Sequence, residues 1–306
     1  MYGFLTNKYE SQTDISLSKT MTPIRLIPPF DGQAGTLLVR GAVDSDRWID
    51  YGSGCVCTIS NNFPGGASAI RKRNALTIIS QKLMPDAFAL LRLDEHETMQ
   101  DQVLIWENSD EARWSDSLKF TSPEIRSWIR EGRILFSHTL PDHPTFAIMC
   151  VPLWDQGCSN FPAQEDKKSY SSPLRTLLSV PNNDRIQDVT QFKTELTGVV
   201  IDTRGLTIQP ALFPKIIGPE GKQLYGVEHV IPKWAAAFGV AGYFTKIDAI
   251  KKMVGKKPLF FNAVEVINST NIRLNTQAAS SIKTEAVLRL LAKSRMAILV
   301  DNPGSK

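Results

Sequence analysis

Between Gln156 and Glu195 the apolar pattern dissolves into Gln, Asp, Lys, Ser, Pro and Asn, relieved only by the short run Leu174 to Val180. A stretch of that composition cannot bury enough side chain to build its own core, so it reads as a linker holding at most one small helix or strand. It divides the chain into an N-terminal block, 25–155, and a C-terminal block, 196–301, with a polar tail over 1–24 and a short one over 302–306. Both blocks alternate strand-like and helix-like runs. Helices set between strands that mostly pair antiparallel predict an α+β fold of two domains, each a mostly antiparallel sheet with helices packed on one face.

In the first block, Thr36 to Val43 and Cys55 to Ile59 have the β-branched content of strands. Apolar residues recur at helical spacing from Ala67 to Met84, with Arg71, Lys72 and Arg73 between them. Val103 to Glu107 reads as a strand, and Ser122-Pro-Glu-Ile supplies an N-cap, a Pro at the first helical position and an early acid. Ile134 to Leu140 and Phe146 to Leu153 form a hairpin around Pro-Asp-His-Pro. In the second block, Thr197 to Gly205 is a buried strand running into a turn, and Pro214 to Gly226 is a hairpin tipped by Gly-Pro-Glu-Gly. Lys246 to Val254 is a brief amphipathic helix, Leu259 to Leu274 a hairpin around Asn268-Ser269, Thr276 to Ser294 one long helix, and Met296 to Val300 a buried strand.

Charge is unevenly placed. From Leu196 to Lys306 there are 15 basic and 7 acidic residues, a net +8, whereas the preceding part has 20 basic and 24 acidic, a net −4. A basic excess of that size attracts nucleic acid, anionic lipid or an acidic partner, or simply solvates a face. No run approaches the roughly 18 consecutive apolar residues of a membrane-spanning helix, so no transmembrane span is expected. The first 22 residues lack an apolar core behind a basic start, which predicts no secretory signal and, if the start is as written, a cytoplasmic chain.

Chemistry-bearing groups are few. Cys55, Cys57, Cys150 and Cys158 are open to three readings: buried thiols, a metal site, or a disulfide. Asp202 and Arg204 leave a buried strand before Gly205, where an acid serves either as a catalytic group or, more simply, as a structural turn-former. Gly218 to Lys222 lacks the spacing of a phosphate loop, and His138 and His143 beside Asp142 make only a weak metal set. Lys251, Lys252, Lys256 and Lys257, near Tyr243, Phe244, Phe260 and Phe261, form the densest cationic cluster, a docking surface for an acidic partner. Alternation along a strand buries one of Phe260 and Phe261. Trp48 and Trp114, placed in polar loops, are candidate partner contacts.

The run Thr-Gly-Val-Val-Ile-Asp-Thr-Arg-Gly-Leu-Thr-Ile-Gln-Pro-Ala-Leu-Phe-Pro-Lys-Ile from Thr197 to Ile216, then Glu-Gly-Lys-Gln-Leu-Tyr-Gly, and the closing Lys-Ser-Arg-Met-Ala-Ile-Leu-Val-Asp resemble one family's C-terminal module. That family comprises bacterial envelope proteins, either small outer-membrane lipoproteins or relatives of flagellar assembly protein T. Ala69-Ile-Arg-Lys-Arg-Asn-Ala-Leu and the stretch from Ile129-Arg-Glu-Gly-Arg-Ile to Val151-Pro-Leu resemble its first helix and its helix and hairpin. The resemblance implies a non-enzymatic, periplasmic or outer-membrane-associated part of a flagellar or secretion-type assembly. Its partners would be other envelope proteins or further copies of itself, and it transfers no catalytic residue. The chain departs from the family in lacking a leader and a lipid-bearing cysteine, and in having fewer alanines in the first helix.

The expectation is therefore a structural protein working without cofactor or metal. The alternative is a cytoplasmic nucleic-acid-binding protein using the basic C-terminal block. A third reading, a hydrolase built on Asp202, Arg204 and His229, requires those side chains to converge.

Overall fold

Cys55-Val-Cys-Thr-Ile-Ser60 is the middle strand of the N-terminal sheet. The computed structural model describes residues 38–40, 47–60, 77, 79, 84–89, 91–95, 128, 133–138, 146–158, 172–184, 186 and 196–301. Within these, β1 (Leu38–Arg40), β2 (Arg47–Asp50), β3 (Cys55–Ser60), β4 (Arg133–His138) and β5 (Phe146–Pro152) pair antiparallel in the order β1-β2-β3-β5-β4. Ile49, Val56 and Val151 lie opposite one another in register and bury one face against Met84 and Phe88 of α1 (Met84–Ala89). The other face carries Trp48, Cys57 and Cys150, all buried. The β2–β3 turn is fixed by Asp50, whose carboxylate accepts from the backbone N–H groups of Gly52 and Ser53, both at 2.9 Å. The expected helix from 67 to 84 and the elements at 103–107 and 122–132 fall largely outside the described residues.

The C-terminal sheet departs from its expected form. It comprises β6 (Gly198–Asp202), β7 (Ile216–Ile217), β8 (Gln223–Tyr225), β9 (Gly242–Phe244), β10 (Pro258–Ile267), β11 (Asn271–Leu274) and β12 (Met296–Leu299), in the order β8-β7-β11-β10-β6-β12-β9. The sheet is mixed. Its centre, β10-β6-β12-β9, is parallel throughout, and only β10–β11 and β7–β8 are antiparallel. Helices lie on both faces of this centre. Val199, Ile201, Met296 and Ile298 share a cluster with Ile282 of α5 (Thr276–Ile282) and Leu291 of α6 (Glu285–Leu291). The intervening residues Val200, Ala297 and Leu299 pack with Ile250 and Val254 of α4 (Ile247–Val254) on the opposite side. Parallel neighbours need crossovers, and here α4 and the α5–α6 pair supply them. The unbroken apolar runs of β6 and β12 are what two-sided burial demands, whereas a half-exposed antiparallel strand alternates. The α+β class holds; the one-faced, mostly antiparallel description fits the first sheet better than the second.

The single helix expected over 276–294 is two. Ser281 donates to the Gln277 carbonyl and Thr284 to the Ser281 carbonyl, so hydroxyl groups compete with the backbone at the join and α6 restarts at Thr284. The break shifts the apolar stripe, burying Val287 and leaving Ala286 exposed.

The polar stretch after the first sheet begins with a structured clamp. The backbone N–H groups of Asp155 and Gln156 donate at 2.9 Å to the carbonyls of Ala236 and Ala237, in the last turn of α3 (Pro232–Phe238). α2 (Pro173–Leu177) packs on α3. Its Arg175, fully buried, grips Asp155 through Nε and Nη2, the latter at 2.5 Å, and donates further to the carbonyls of Pro181 and Asp184. Apolar residues of both sheets join in one continuous core, where Tyr51 meets Tyr243 edge-on at 5.8 Å. Among the described residues no helix is long and apolar enough to cross a membrane.

Candidate functional site

The C-terminal ends of the central parallel strands are where open sheets of this kind commonly bind ligands, and Asp202, Arg204 and Gly205 stand there. Arg204 Nε lies 2.9 and 3.1 Å from the two Asp202 carboxylate oxygens and its Nη2 lies 2.5 Å from Oδ2, while the Arg204 N–H donates to Oδ1 at 3.0 Å. The Gly205 N–H donates to Asp301 Oδ2 at 2.8 Å, and Gly205 has φ 84°, the left-handed region that glycine enters without strain. The guanidinium beside Asp202 holds its carboxyl below the usual range, so the acid is ionised and its oxygens face donors of its own turn. This arrangement shapes a backbone reversal.

His229 does not join it. Its ring lies 6.3 Å from that of Tyr225, on β8, which is four strand positions and so about 19 Å from β6. The hydrolase constellation of Asp202, Arg204 and His229 is therefore not assembled. His138 ends β4, and Asp142 and His143 lie outside the described residues. Gly218 to Lys222 closes the β7–β8 hairpin by a bond from the Gly218 N–H to the Lys222 carbonyl, 2.8 Å, with Gly221 at φ 79°.

The cationic cluster is a coherent surface. At about 100° per residue, Ile250 and Val254 point α4 down at the sheet, and Met253 falls to one flank, above Gly242 of β9. Ile247 and Lys251 consequently fall on the opposite flank, toward β10. There Phe260 and Asn262 pair with Val200 and Asp202 and extend the α4-side face of the sheet beyond the helix. Phe260 is 47% exposed and Phe261 8%, so alternation presents the first ring and buries the second. Lys251 and Lys252 on α4 and Lys256 and Lys257 in the connection to β10 are all exposed, and Ile247 at the start of α4 is 47% exposed. The structure thus leaves one aromatic ring of β10 open, with the four lysines exposed on α4 and in the connection between α4 and β10.

Trp48 requires a correction. Expected in a polar loop as a partner contact, it lies within β2 opposite Cys57 and is 4% exposed, because the strand turns it into the covered face of the sheet. Trp114 is outside the described residues. Two groups went unforeseen. The buried Arg175–Asp155 pair was signalled only by Ser172-Pro173, a cap and first-turn Pro of the sort read at Ser122. The second is Ile247, an exposed apolar residue at the start of α4 that nothing local in the sequence distinguishes from a buried one.

All four cysteines are paired, Cys57 with Cys150 across β3 and β5 and Cys55 with Cys158 in the loop after β5, with Cα separations of 4.1 and 5.4 Å. Of the three readings open from sequence, the disulfide is the one the fold adopts.

Residues 198–302 match the family model described as Treponema pallidum Tp0624, second domain. The match takes in 105 of the 306 residues, from β6 through β12, and includes both the Asp202 turn and the lysine face. No curated protein matches the chain.

Proposed function

We propose that the protein is a non-enzymatic structural or assembly component of a bacterial envelope, periplasmic or outer-membrane-associated, that acts through protein–protein contacts. The observation that carries this reading is the pairing of every cysteine. Disulfides form and persist in oxidising compartments and are rare where thioredoxin and glutathione keep thiols reduced. The resemblance of residues 197–216 to envelope modules supports the same compartment, and the self-satisfied Asp202 turn supports scaffold over catalyst. Alkylation of the native protein in freshly lysed source cells tests it. The expected result is full resistance to a thiol reagent under denaturing, non-reducing conditions, four labelled cysteines after reduction, and recovery in the envelope fraction. Four reactive thiols in a cytosolic fraction would overturn it.

A second reading, nucleic-acid binding, is favoured by the exposure of four lysines on α4 and its connection to β10 together with that of Phe260, a pairing of cations and an open ring suited to single strands. It predicts retention on single-stranded DNA that falls steeply with salt as counterions are released; no retention at low salt dismisses it.

A further inference from the structure

We propose that this chain matures through a disulfide-isomerising thiol oxidoreductase, which it needs because β3 can oxidise onto β5 two residues out of register, with Cys55 joined to Cys150 in place of Cys57. The proposal rests on the reading of a protein oxidised in the envelope and names a class of enzyme it meets there. The native bonds are nested, Cys57–Cys150 lying inside Cys55–Cys158, with sequence separations of 93 and 103. Before folding, little distinguishes them from the swapped set. Cys55 lies 95 positions before Cys150 and Cys57 lies 101 before Cys158, so loop closure treats all four long pairings alike. A local bond is favoured over all of them. Cys158 follows Cys150 by only 8 positions, and at the three-halves power of length that closure is about fortyfold more frequent than one over 93.

The sheet itself accommodates the swapped bond. The turn at Asp50 sets β2 on β3, but β3 and β5 are far apart in sequence and no short turn fixes one against the other. A slip of one residue would turn the apolar face to water; a slip of two preserves it, since side chains alternate with period two. In the native register Cys57 pairs with Cys150 and Val56 with Val151, which leaves Cys55 and Cys150 as diagonal neighbours about 7–8 Å apart, beyond the reach of a disulfide. Slipped by two, Cys55 comes opposite Cys150 and Val56 opposite Met149, a member of the same buried core. What the slip loses lies past the strand ends. Natively the Leu153 N–H donates to the Gly54 carbonyl and the Cys158 N–H to the Ser53 carbonyl, both at 2.8 Å, and Gly54 makes room for the Trp154 ring, into which a Cβ would run. Those contacts make the native register the more stable, and a covalent bond holds the slipped one. Escape is thiol–disulfide exchange. An isomerase thiolate attacks Cys150 Sγ, forming a mixed disulfide and releasing the Cys55 thiolate. After the strands realign, Cys55 attacks Cys158 Sγ and releases the Cys57 thiolate, which attacks Cys150 Sγ and expels the isomerase thiolate. No electrons are gained or lost overall.

Oxidative refolding of the reduced full-length chain in a glutathione buffer, with and without a disulfide isomerase, tests the proposal. Bonds are mapped by mass spectrometry of non-reduced peptides, using fragment ions that separate Cys55 from Cys57. Without the isomerase, Cys55–Cys150 and Cys150–Cys158 bonds should precede the native set; with it, the native set should form faster by roughly fivefold or more. A chain with Cys55→Ser and Cys158→Ser retains one possible bond, Cys57–Cys150, and should close it at the same rate whether or not the isomerase is present. A chain with Cys57→Ser and Cys158→Ser should join Cys55 to Cys150, a bond that only the slipped register allows. A four-cysteine chain that reaches native pairing at one rate with and without the isomerase overturns the proposal, as does a folded Cys57→Ser, Cys158→Ser chain in which Cys55 and Cys150 stay thiols. If a two-cysteine variant misfolds, the wild-type rates decide alone. These rates are measured on purified chain and leave the thiol labelling and fractionation of native protein untouched, so this proposal and the envelope reading fail separately.

Discussion

The two sheets solve the same closure problem by different means. In the N-terminal sheet, the central pair β3–β5 joins segments whose bridged cysteines are 93 and 103 residues apart, and two disulfides tie that pair and the loop after it. In the C-terminal sheet the central strands β6 and β12 are also distant in sequence, yet no cysteine occurs after Cys158. There, helices cover both faces and every residue of β12 is buried. Closing a loop near 100 residues restricts the unfolded chain by about 4–5 kcal/mol in the chain-entropy account. Burying a Val or Ile side chain yields about 1.5–3 kcal/mol, so two fully covered apolar strands reach a comparable sum without a covalent tie.

The sharpest way to break the comparison is to remove the ties. Replacing Cys55, Cys57, Cys150 and Cys158 with Ala is expected to cost about 2–5 kcal/mol per bridge. Hydrogen exchange should then show protection lost in β3 and β5 while β6 and β12 retain theirs. Equal loss in both sheets would mean that the shared core, with Tyr51 against Tyr243, makes them one cooperative unit.

Next in size is the clamp between the sheets. Arg175→Met keeps the volume and removes the only cation shown against Asp155 among the described residues, leaving a largely buried carboxylate. Breaking a buried pair from one side costs about 3–5 kcal/mol. Chemical denaturation should show that loss, and the double change Arg175→Met with Asp155→Leu should recover part of it. No recovery would locate the cost in the bonds Arg175 makes to Pro181 and Asp184 instead.

These contrasts also explain what the sequence could reveal. Strand positions were legible because β-branched runs announce themselves locally: Cys55 to Ile59, Thr197 to Gly205 and Met296 to Val300 lie where β3, β6 and β12 form. Pairing direction was not, since it depends on which distant strand arrives, and the crossovers through α4 and α5–α6 put β10, β12 and β9 parallel to β6. The continuous apolar composition of β6 and β12 did contain that answer. Trp48 was misplaced because its neighbours Asp44, Asp46 and Arg47 are polar, whereas its exposure was set by a cross-strand partner, Cys57. The lysine cluster was visible as a run, but the open ring of β10 required knowing which of Phe260 and Phe261 the pleat turns outward.

Within the C-terminal sheet, two glycines separate packing from backbone strain. A Cβ on Gly198 would lie 2.5 Å from Val254 Cβ and 2.7 Å from its Cα, so Gly198→Ala must push α4 off β6. Overpacking of this type costs about 1–3 kcal/mol. Gly205→Ala meets open space and pays only for its positive φ, about 1 kcal/mol. Thermal unfolding of the two variants should rank them in that order. The reverse ranking would show that the turn at Gly205, and not the α4 contact, limits the stability of this sheet.

The smallest effect concerns acid. Because Arg204 holds the Asp202 carboxyl below its unfolded value, the pair contributes stability above the unfolded pKa of about 3.9 and loses it as pH falls through the lower folded value. Arg204 is about half exposed and Asp202 is only partly covered, so solvent screening keeps the contribution within about 0–1 kcal/mol. Asp202→Asn should therefore destabilise slightly at neutral pH, and the gap between variant and wild type should close at the acid end of a denaturation series. No gap at any pH would mean that the turn depends on the acceptor oxygen at Oδ1, which an amide preserves in kind, and owes nothing to the charge.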